Sequence, residues 1–240
     1  MTCVPSKLWK GTLFLFLLGI GALSFDPFFV SQEKEDQNND LEPSNSKKSY
    51  LAQFFNLPLY FEKNEGQIDA HFQYLTHLPG QTFCFSPEGV SVLLKNGYPS
   101  KTLSVLNIQF LGGNPQPIIQ GLDEQECKSN YFIGQDASKW YTGISNYNKI
   151  AYKNLYPGID VLFYGNAKQL EYDFLVDPGV NPNHIRMRIE GAKKLNIDSE
   201  GDLQIVIEND EEQIFQMKKP VIYQMVEGNK VDVEGVGFSL

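Results

Sequence analysis

The 240-residue sequence has few of the side chains that catalytic and metal sites use most often, with only three histidines and three cysteines. Of the histidines, His71 and His77 lie six residues apart, which is not a recognisable ligand spacing, and no Gly-x-Ser-x-Gly segment is present. The pair Gly112-Gly113 has no following Lys-Ser/Thr that would indicate a phosphate-binding loop. We therefore expect a protein that is not an enzyme and has no cofactor.

Basic residues are also in deficit. The chain has 20 Lys and Arg against 29 Asp and Glu, which gives a net charge of −9, and its pI is about 4.9. Binding to a nucleic-acid backbone requires a clustered excess of Lys and Arg. Nucleic acid is therefore not an expected partner.

The one long apolar run lies at the N-terminus. Residues 12–25 carry no charge and follow Lys7 and Lys10, and the small residues Ala22 and Ser24 suit cleavage after Ser24. The run is short for a membrane span, which needs about 20 apolar residues. The pattern predicts a signal peptide over residues 1–24, a mature chain without a transmembrane span, and a periplasmic, cell-surface or secreted location. An uncleaved membrane anchor and an N-terminal core helix are the alternatives.

Large apolar side chains are scarce again just after this segment. Residues 31–48 contain one Leu and no other large apolar side chain, so they cannot bury enough surface to offset the entropy of ordering. We predict a disordered linker over residues 25–48, followed by a single domain over residues 49–240. The chain as a whole is 42% hydrophobic, which is ample for a packed core.

The dominant pattern in this domain is alternation of apolar and polar residues between closely spaced turns. Predicted strands cover residues 71–75, 82–86, 90–95, 103–110, 185–189, 195–197, 203–207, 214–215, 221–223 and 231–233. The only helical candidate, residues 49–55, is stopped by Pro58. The sequence therefore predicts an all-β fold, an antiparallel sandwich-like or barrel-like domain with meander hairpins.

Residues 158–176 form the best-defined predicted hairpin. A tight turn at Asn166-Ala167 would place Phe163 opposite Leu170 and give one wholly apolar face. The same register sets Asp160 directly opposite Asp173 on the other face, with Glu171 nearby. One face of the hairpin is thus predicted to pack on the core and the other to present three carboxylates.

Four segments in order resemble a known family: LPLYFEKNEGQID (residues 57–69), NYFIGQDASKW (130–140), LYPGIDVLFYGNAKQLEYDFLVDPGVNPNHI (155–185) and KPVIYQ (219–224). They are similar to the N-terminal domain of bacterial cell-surface proteins with SBBP, or seven-bladed β-propeller-type, repeats. That domain is β-rich and of unknown function (DUF7948-like), and brings no catalytic residues to carry over. The resemblance also leads us to expect a further strand and repeats after residue 240, so the chain is either a natural short form or a fragment that is truncated at its C-terminus.

Two functions from different classes follow. The first is a non-catalytic cell-surface or extracytoplasmic module for scaffolding or binding, whose partner is a cell-surface protein or a glycan. The second is a glycan-acting hydrolase that uses two carboxylates of the 158–176 hairpin as acid and base or nucleophile, since glycoside hydrolysis needs a carboxylate pair.

The acidic face also raises the possibility of a metal. Like charges that face each other across strands destabilise a sheet unless something compensates. Solvent screening, a neighbouring cation such as Lys149, Lys153 or Arg186, or Ca²⁺ bound by Asp160, Glu171 and Asp173 would each do so. These alternatives stay open at the level of the sequence.

Two further predictions concern Cys84 with Cys127 and the aromatic residues. An oxidising compartment would permit a disulfide between the two cysteines, and the alternative is one buried thiol and one loop thiol. Trp140 and Tyr164 are candidates for an exposed binding surface, although core packing is the usual place of aromatic residues in a β-domain. The polar turn Asn64-Glu65-Gly66-Gln67 is expected to bond its own backbone.

Overall fold

The computed structural model describes residues 7–16, 59–95, 103–166, 169–207, 213–226, 229–232 and 237–240. Apart from two single-turn 3₁₀ helices, Ala137–Lys139 and Pro182–His184, its regular structure is all strand, which confirms the predicted all-β class. The strands are β1 (Lys7–Phe16), β2 (Phe61–Lys63), β3 (Tyr74–Leu78), β4 (Gln81–Ser86), β5 (Gly89–Lys95), β6 (Leu103–Phe110), β7 (Ile118–Tyr131), β8 (Tyr141–Tyr156), β9 (Ile159–Asn166), β10 (Gln169–Val176), β11 (Met187–Glu190), β12 (Ala192–Ile197), β13 (Leu203–Ile207), β14 (Gln213–Met217), β15 (Val221–Val226) and β16 (Asn229–Asp232). Within these described ranges, no helix is long and apolar enough to cross a membrane.

The strands form one antiparallel sheet that curls until its ends meet. Its order is β11-β6-β5-β4-β3-β2-β8-β9-β10-β1-β14-β13-β12, and only Gly191 separates β11 from β12. At this glycine the chain passes from β11, which pairs with β6, to β12, which pairs with β13. Gly191 has φ +88°, and a Cβ built on it would lie 2.2 Å from the carbonyl oxygen of Val105, so only glycine fits the corner.

The core lies between opposed parts of the curled sheet. Phe85 on β4 makes edge contacts with Phe61 on β2, with ring centroids 5.5 Å apart, and with Phe163 on β9 at 5.1 Å. Phe83 and Phe215, on β4 and β14, lie 6.3 Å apart. Because β4 pairs with neither β9 nor β14, these contacts cross the interior and give the sheet the sandwich-like packing that the alternation predicts.

The β9–β10 hairpin confirms the predicted faces and corrects the predicted register. Tyr172 pairs with Phe163 and Phe174 with Val161, and all four side chains are buried. The pairing is shifted by two residues from the expectation, so Asn166 pairs with Gln169 and Asp160 lies opposite Leu175 instead of Asp173. A two-residue shift keeps every side chain on its face, which explains why burial pattern alone could not distinguish the registers.

Of the chain before residue 59, the structure describes only residues 7–16. Lys7–Phe16 lie as strand β1 between β10 on one side and β14 and β15 on the other. The signal peptide is a statement about processing and stays a prediction. The predicted linker and the helical candidate at residues 49–55 lie outside the described residues.

Candidate binding surface

The long β7–β8 hairpin carries an exposed apolar surface that we call the aromatic tip. Every residue from 132 to 143 is exposed. The aromatic tip comprises Phe132, Ile133, Trp140 and Tyr141, whose exposed fractions are 62%, 66%, 39% and 36%. The sheet order explains the exposure, because β7 pairs with β8 alone among the described strands. Large apolar side chains clustered in the open are typical of interaction sites.

The aromatic tip has a defined local structure. Asp136 caps the turn Ala137–Lys139 by accepting hydrogen bonds from the Ser138 backbone N–H at 3.0 Å and from its hydroxyl at 2.7 Å. Trp140 Nε1 donates to the Gly134 carbonyl at 3.2 Å, and its ring makes an edge contact with Phe132 at 5.2 Å. These contacts hold the two rings in a fixed arrangement before any partner binds, which reduces the entropy cost of binding.

Tyr141 joins the aromatic tip to the polar turn at residues 64–67. A Cβ built on Gly66, where φ is +115°, would lie 2.8 Å from Tyr141 Cε1, so the ring lies directly on the glycine. The turn bonds its own backbone as expected: Asn64 Oδ1 accepts from the Gly66 N–H at 3.0 Å, and Gln67 Nε2 donates to the Lys63 carbonyl at 2.8 Å. The first of the segments that carry the family resemblance is thus in contact with the residue that directly follows the second.

A series of hydrogen bonds that includes the buried carboxylate of Glu62 fastens the hairpin to the body of the sheet. The Tyr131 hydroxyl donates to Glu62 Oε2 at 2.5 Å and lies 3.5 Å from His77 Nε2, and His77 Nδ1 lies 3.0 Å from the Thr82 hydroxyl. Burial and the hydrogen bond to Glu62 raise the pKa of Tyr131, so its hydroxyl stays protonated and donates. The sequence pattern could not reveal this series, because Glu62 and Tyr131 are far apart along the sequence.

The structure gives each of the three carboxylates that the sequence grouped a different hydrogen-bond partner. Asp160 accepts from Lys153 Nζ at 2.8 Å and from the Asn154 N–H at 2.7 Å. Asp173 is 5% exposed and accepts from the Tyr164 hydroxyl at 3.0 Å. Glu171 accepts from Gln169 Nε2 at 2.7 Å. The expectation that Asp160 faces Asp173 is therefore wrong, and the neighbouring cation that offsets Asp160 is Lys153.

This arrangement bears on the metal and hydrolase hypotheses. In the part of the chain that the structure describes, no group of three His, Cys, Asp or Glu side chains could hold a metal ion. The Ca²⁺ hypothesis for Asp160, Glu171 and Asp173 required such a group. Of the three carboxylates named for the hydrolase hypothesis, Asp173 is buried and Asp160 is paired with Lys153.

Trp140 and Tyr164, the two aromatic candidates, have different surroundings. Trp140 belongs to the aromatic tip. Tyr164 lies on β9, and burial and the neighbouring Asp173 carboxylate raise its pKa well above the ordinary value. Tyr164 therefore serves as a hydrogen-bond donor to Asp173 on the sheet and is not part of the aromatic tip.

Cys84 and Cys127 are free thiols in this structure. Cys84 is buried in the middle of β4, whereas Cys127 is exposed on β7. The disulfide expected between them is thus not formed, because one residue lies inside the sheet and the other on the hairpin. Burial raises the pKa of the Cys84 thiol to about 11.

Fold and surface together define an all-β domain with a closed, curled sheet and one hairpin that presents aromatic residues. The chain belongs to the family described as Domain of unknown function (DUF7948), whose model matches residues 61–239. A comparison with curated proteins gives no match. A comparison with solved structures also gives none.

Proposed function

We propose that this protein is an exported, non-catalytic module that binds a component of the cell surface through its aromatic tip. The observation that carries the proposal is the exposure of Phe132, Ile133, Trp140 and Tyr141 on a structured hairpin. Large aromatic residues dominate the energetics of many interfaces, because each buries a large area at a small entropy cost.

Two further features support the binding role. The aromatic tip is preorganised by the Asp136 cap and the Trp140–Phe132 contact, and Tyr131, which directly precedes the tip, is hydrogen-bonded to Glu62. A rigid presentation of this kind is what a binding element needs and what a disordered loop lacks. The resemblance to domains that precede SBBP repeats favours a place at the cell surface.

Binding is tested by sedimentation of the purified protein with envelopes of the cells that produce it. We expect the double variant Phe132→Ser, Trp140→Ala to bind at least about tenfold more weakly, since truncating an interface hot spot costs about 2 kcal/mol. Leu103→Ser is the matched control, because Leu103 is 55% exposed and lies on β6. Equal sedimentation of the double variant and the wild type would contradict the role of the aromatic tip.

The same assay identifies the kind of partner. Protease treatment of the envelopes should abolish binding if the partner is a protein, and periodate oxidation should abolish it if the partner is a glycan. Export is tested by N-terminal sequencing of the extracytoplasmic protein, which should begin near Phe25. Intact Met1 on soluble cytoplasmic protein would refute export.

A further inference from the structure

A second candidate site lies beside the corner at which β11 leads into β12, and none of its lining residues belongs to the aromatic tip. A cavity of about 640 Å³ lies beside the 3₁₀ turn Pro182–His184 and strands β11 to β13. Its floor is formed by the buried side chains Tyr172, Phe174 and Leu203. A smaller void of about 20 Å³ shares Tyr172 and Phe174 and reaches further into the core.

The size and lining of the cavity suit an apolar chain. Small-molecule sites usually have volumes of about 300 to 1,000 Å³ with mostly apolar walls. Here the walls include Met187, Ile189 and Leu195, and Phe238 forms part of the side contributed by residues 237–240. Water gains few hydrogen bonds against these apolar walls, so an apolar ligand covers them more favourably.

Arg186 provides a single positive charge at this cavity. Among the lining residues that the structure describes, it is the only one with a charged side chain. Its backbone carbonyl accepts from the Tyr156 hydroxyl at 3.0 Å and from the Leu111 N–H at 2.8 Å, which fixes the residue in place. Within the described ranges the Arg186 guanidinium has no ion-pair partner, whereas the nearby Arg188 lies 3.9 Å from Glu190.

We propose that this corner binds a small amphiphile with an unbranched apolar chain and one anionic headgroup, the chemistry of a fatty acid. The apolar chain occupies the cavity and reaches toward Tyr172 and Phe174, while the headgroup pairs with the Arg186 guanidinium. The site is separate from the aromatic tip, so it goes beyond the proposed cell-surface binding.

The first experiment measures binding of dodecanoate and of the neutral dodecanol to the delipidated full chain, by calorimetry below their aggregation thresholds. We expect one dodecanoate to bind per chain. The affinity for dodecanol should be about tenfold weaker, because a charge-assisted hydrogen bond between the headgroup and the exposed Arg186 guanidinium contributes modestly to the binding free energy. Arg186→Gln should reduce dodecanoate affinity to the dodecanol value and leave dodecanol binding unchanged. Arg188→Gln is the matched control and should bind both ligands like the wild type.

A second variant tests the cavity itself. Leu195→Trp places a larger side chain into the lining and should abolish binding of both ligands while the circular dichroism spectrum stays that of the wild type. No dodecanoate binding by the wild type would overturn the proposal. Equal affinity for the two ligands, or unchanged dodecanoate binding by Arg186→Gln, would overturn the role of Arg186.

Discussion

The Asn64 side chain makes most of the side-chain hydrogen bonds of the 64–67 turn. Its Nδ2 donates to the carbonyls of Asp69 at 2.9 Å and Phe72 at 2.7 Å, and its Oδ1 accepts from the Gly66 N–H at 3.0 Å. Removing a side chain that satisfies several partly buried backbone groups costs about 1 to 3 kcal/mol. Asn64 therefore matters through the turn on which Tyr141 packs.

We expect Asn64→Ala to lower the free energy of unfolding by about 2 kcal/mol in urea denaturation. Asn114→Ala is the control, because the Asn114 side chain accepts one exposed bond, from the Gln116 N–H at 3.0 Å. Its expected loss is about 0.5 kcal/mol. Equal losses in the two variants would show that the Asn64 bonds do not hold the turn.

The two cysteines of the domain should differ sharply in reactivity. The Cys84 thiol is inaccessible because it is buried. It is also neutral at pH 8.5, because burial raises its pKa to about 11. Iodoacetamide should therefore label the Cys127 peptide of the native protein and leave the Cys84 peptide unlabelled, as read by mass spectrometry. In urea both should react. Failure of both to react in urea without reductant would reveal a disulfide.

The sign of the pH effect on Cys84 follows from the raised pKa. A thiol whose pKa is higher in the folded than in the unfolded state favours folding fully below the unfolded pKa, and this contribution is lost as the pH rises from about 9 toward 11. Cys84→Ala should therefore flatten the alkaline decline in stability over that window.

At the scale of single elements, the corner between β11 and β12 depends on Gly191. A side chain there meets the Val105 carbonyl oxygen at 2.2 Å in addition to the unfavourable φ of +88°. Gly179 has a similar φ of +82°, and nothing lies within 4 Å of a Cβ built on it. A comparison of substitutions at Gly179 and Gly191 therefore distinguishes the cost of the steric clash from the cost of the backbone strain.

We expect Gly179→Ala to cost about 1 to 2 kcal/mol, the price of a left-handed conformation, and Gly191→Ala to cost more than about 3 kcal/mol, since the backbone must also move. Thermal or urea unfolding of the two variants provides the comparison. Equal destabilisation would mean that the corner can adjust and that the close approach to Val105 does not constrain the fold.

Pattern reading succeeded for elements with one buried face and failed for the hairpin that leaves the sheet. β4, β5, β6 and β13 lie where alternation predicts them, because their inward side chains are apolar. β7 has mostly exposed or half-buried residues on both faces, so it shows no alternation. One of the two strands that flank the aromatic tip thus carries no period-two signal.

At the scale of the whole molecule, β1 completes the curled sheet. It pairs with β10 from Lys7↔Val176 to Leu13↔Leu170 and with β14 from Leu13↔Met217 to Phe16↔Ile214. Cleavage after Ser24 would remove this strand and leave β10 and β14 with open edges at this position. Residues 7–16 are therefore part of the sheet in this structure, whereas the signal-peptide prediction has them removed from the mature protein.

Deleting residues 1–24 should accordingly lower the melting temperature, by an amount on the order of 10 °C, because the backbone bonds of one strand contribute several kcal/mol. Adding a peptide of residues 7–16 should restore the wild-type value, since an open sheet edge accepts a strand. The same peptide with Leu13→Pro is the control, because proline cannot complete the hydrogen bonds. Equal melting of the deleted and full chains would show that β1 is dispensable.

The sequence by itself determined the all-β class, most strand positions and the buried faces of the β9–β10 hairpin, since alternation records which side of each strand is buried. Only the tertiary structure decided the register of the β9–β10 hairpin, in which Asp160 lies opposite Leu175, the closure at Gly191 and the hydrogen bond from Tyr131 to Glu62. Each of these depends on which distant backbone or side chain lies opposite. The alternation of apolar and polar residues does not determine these pairings, because the alternation is the same for every register that keeps the apolar face inward.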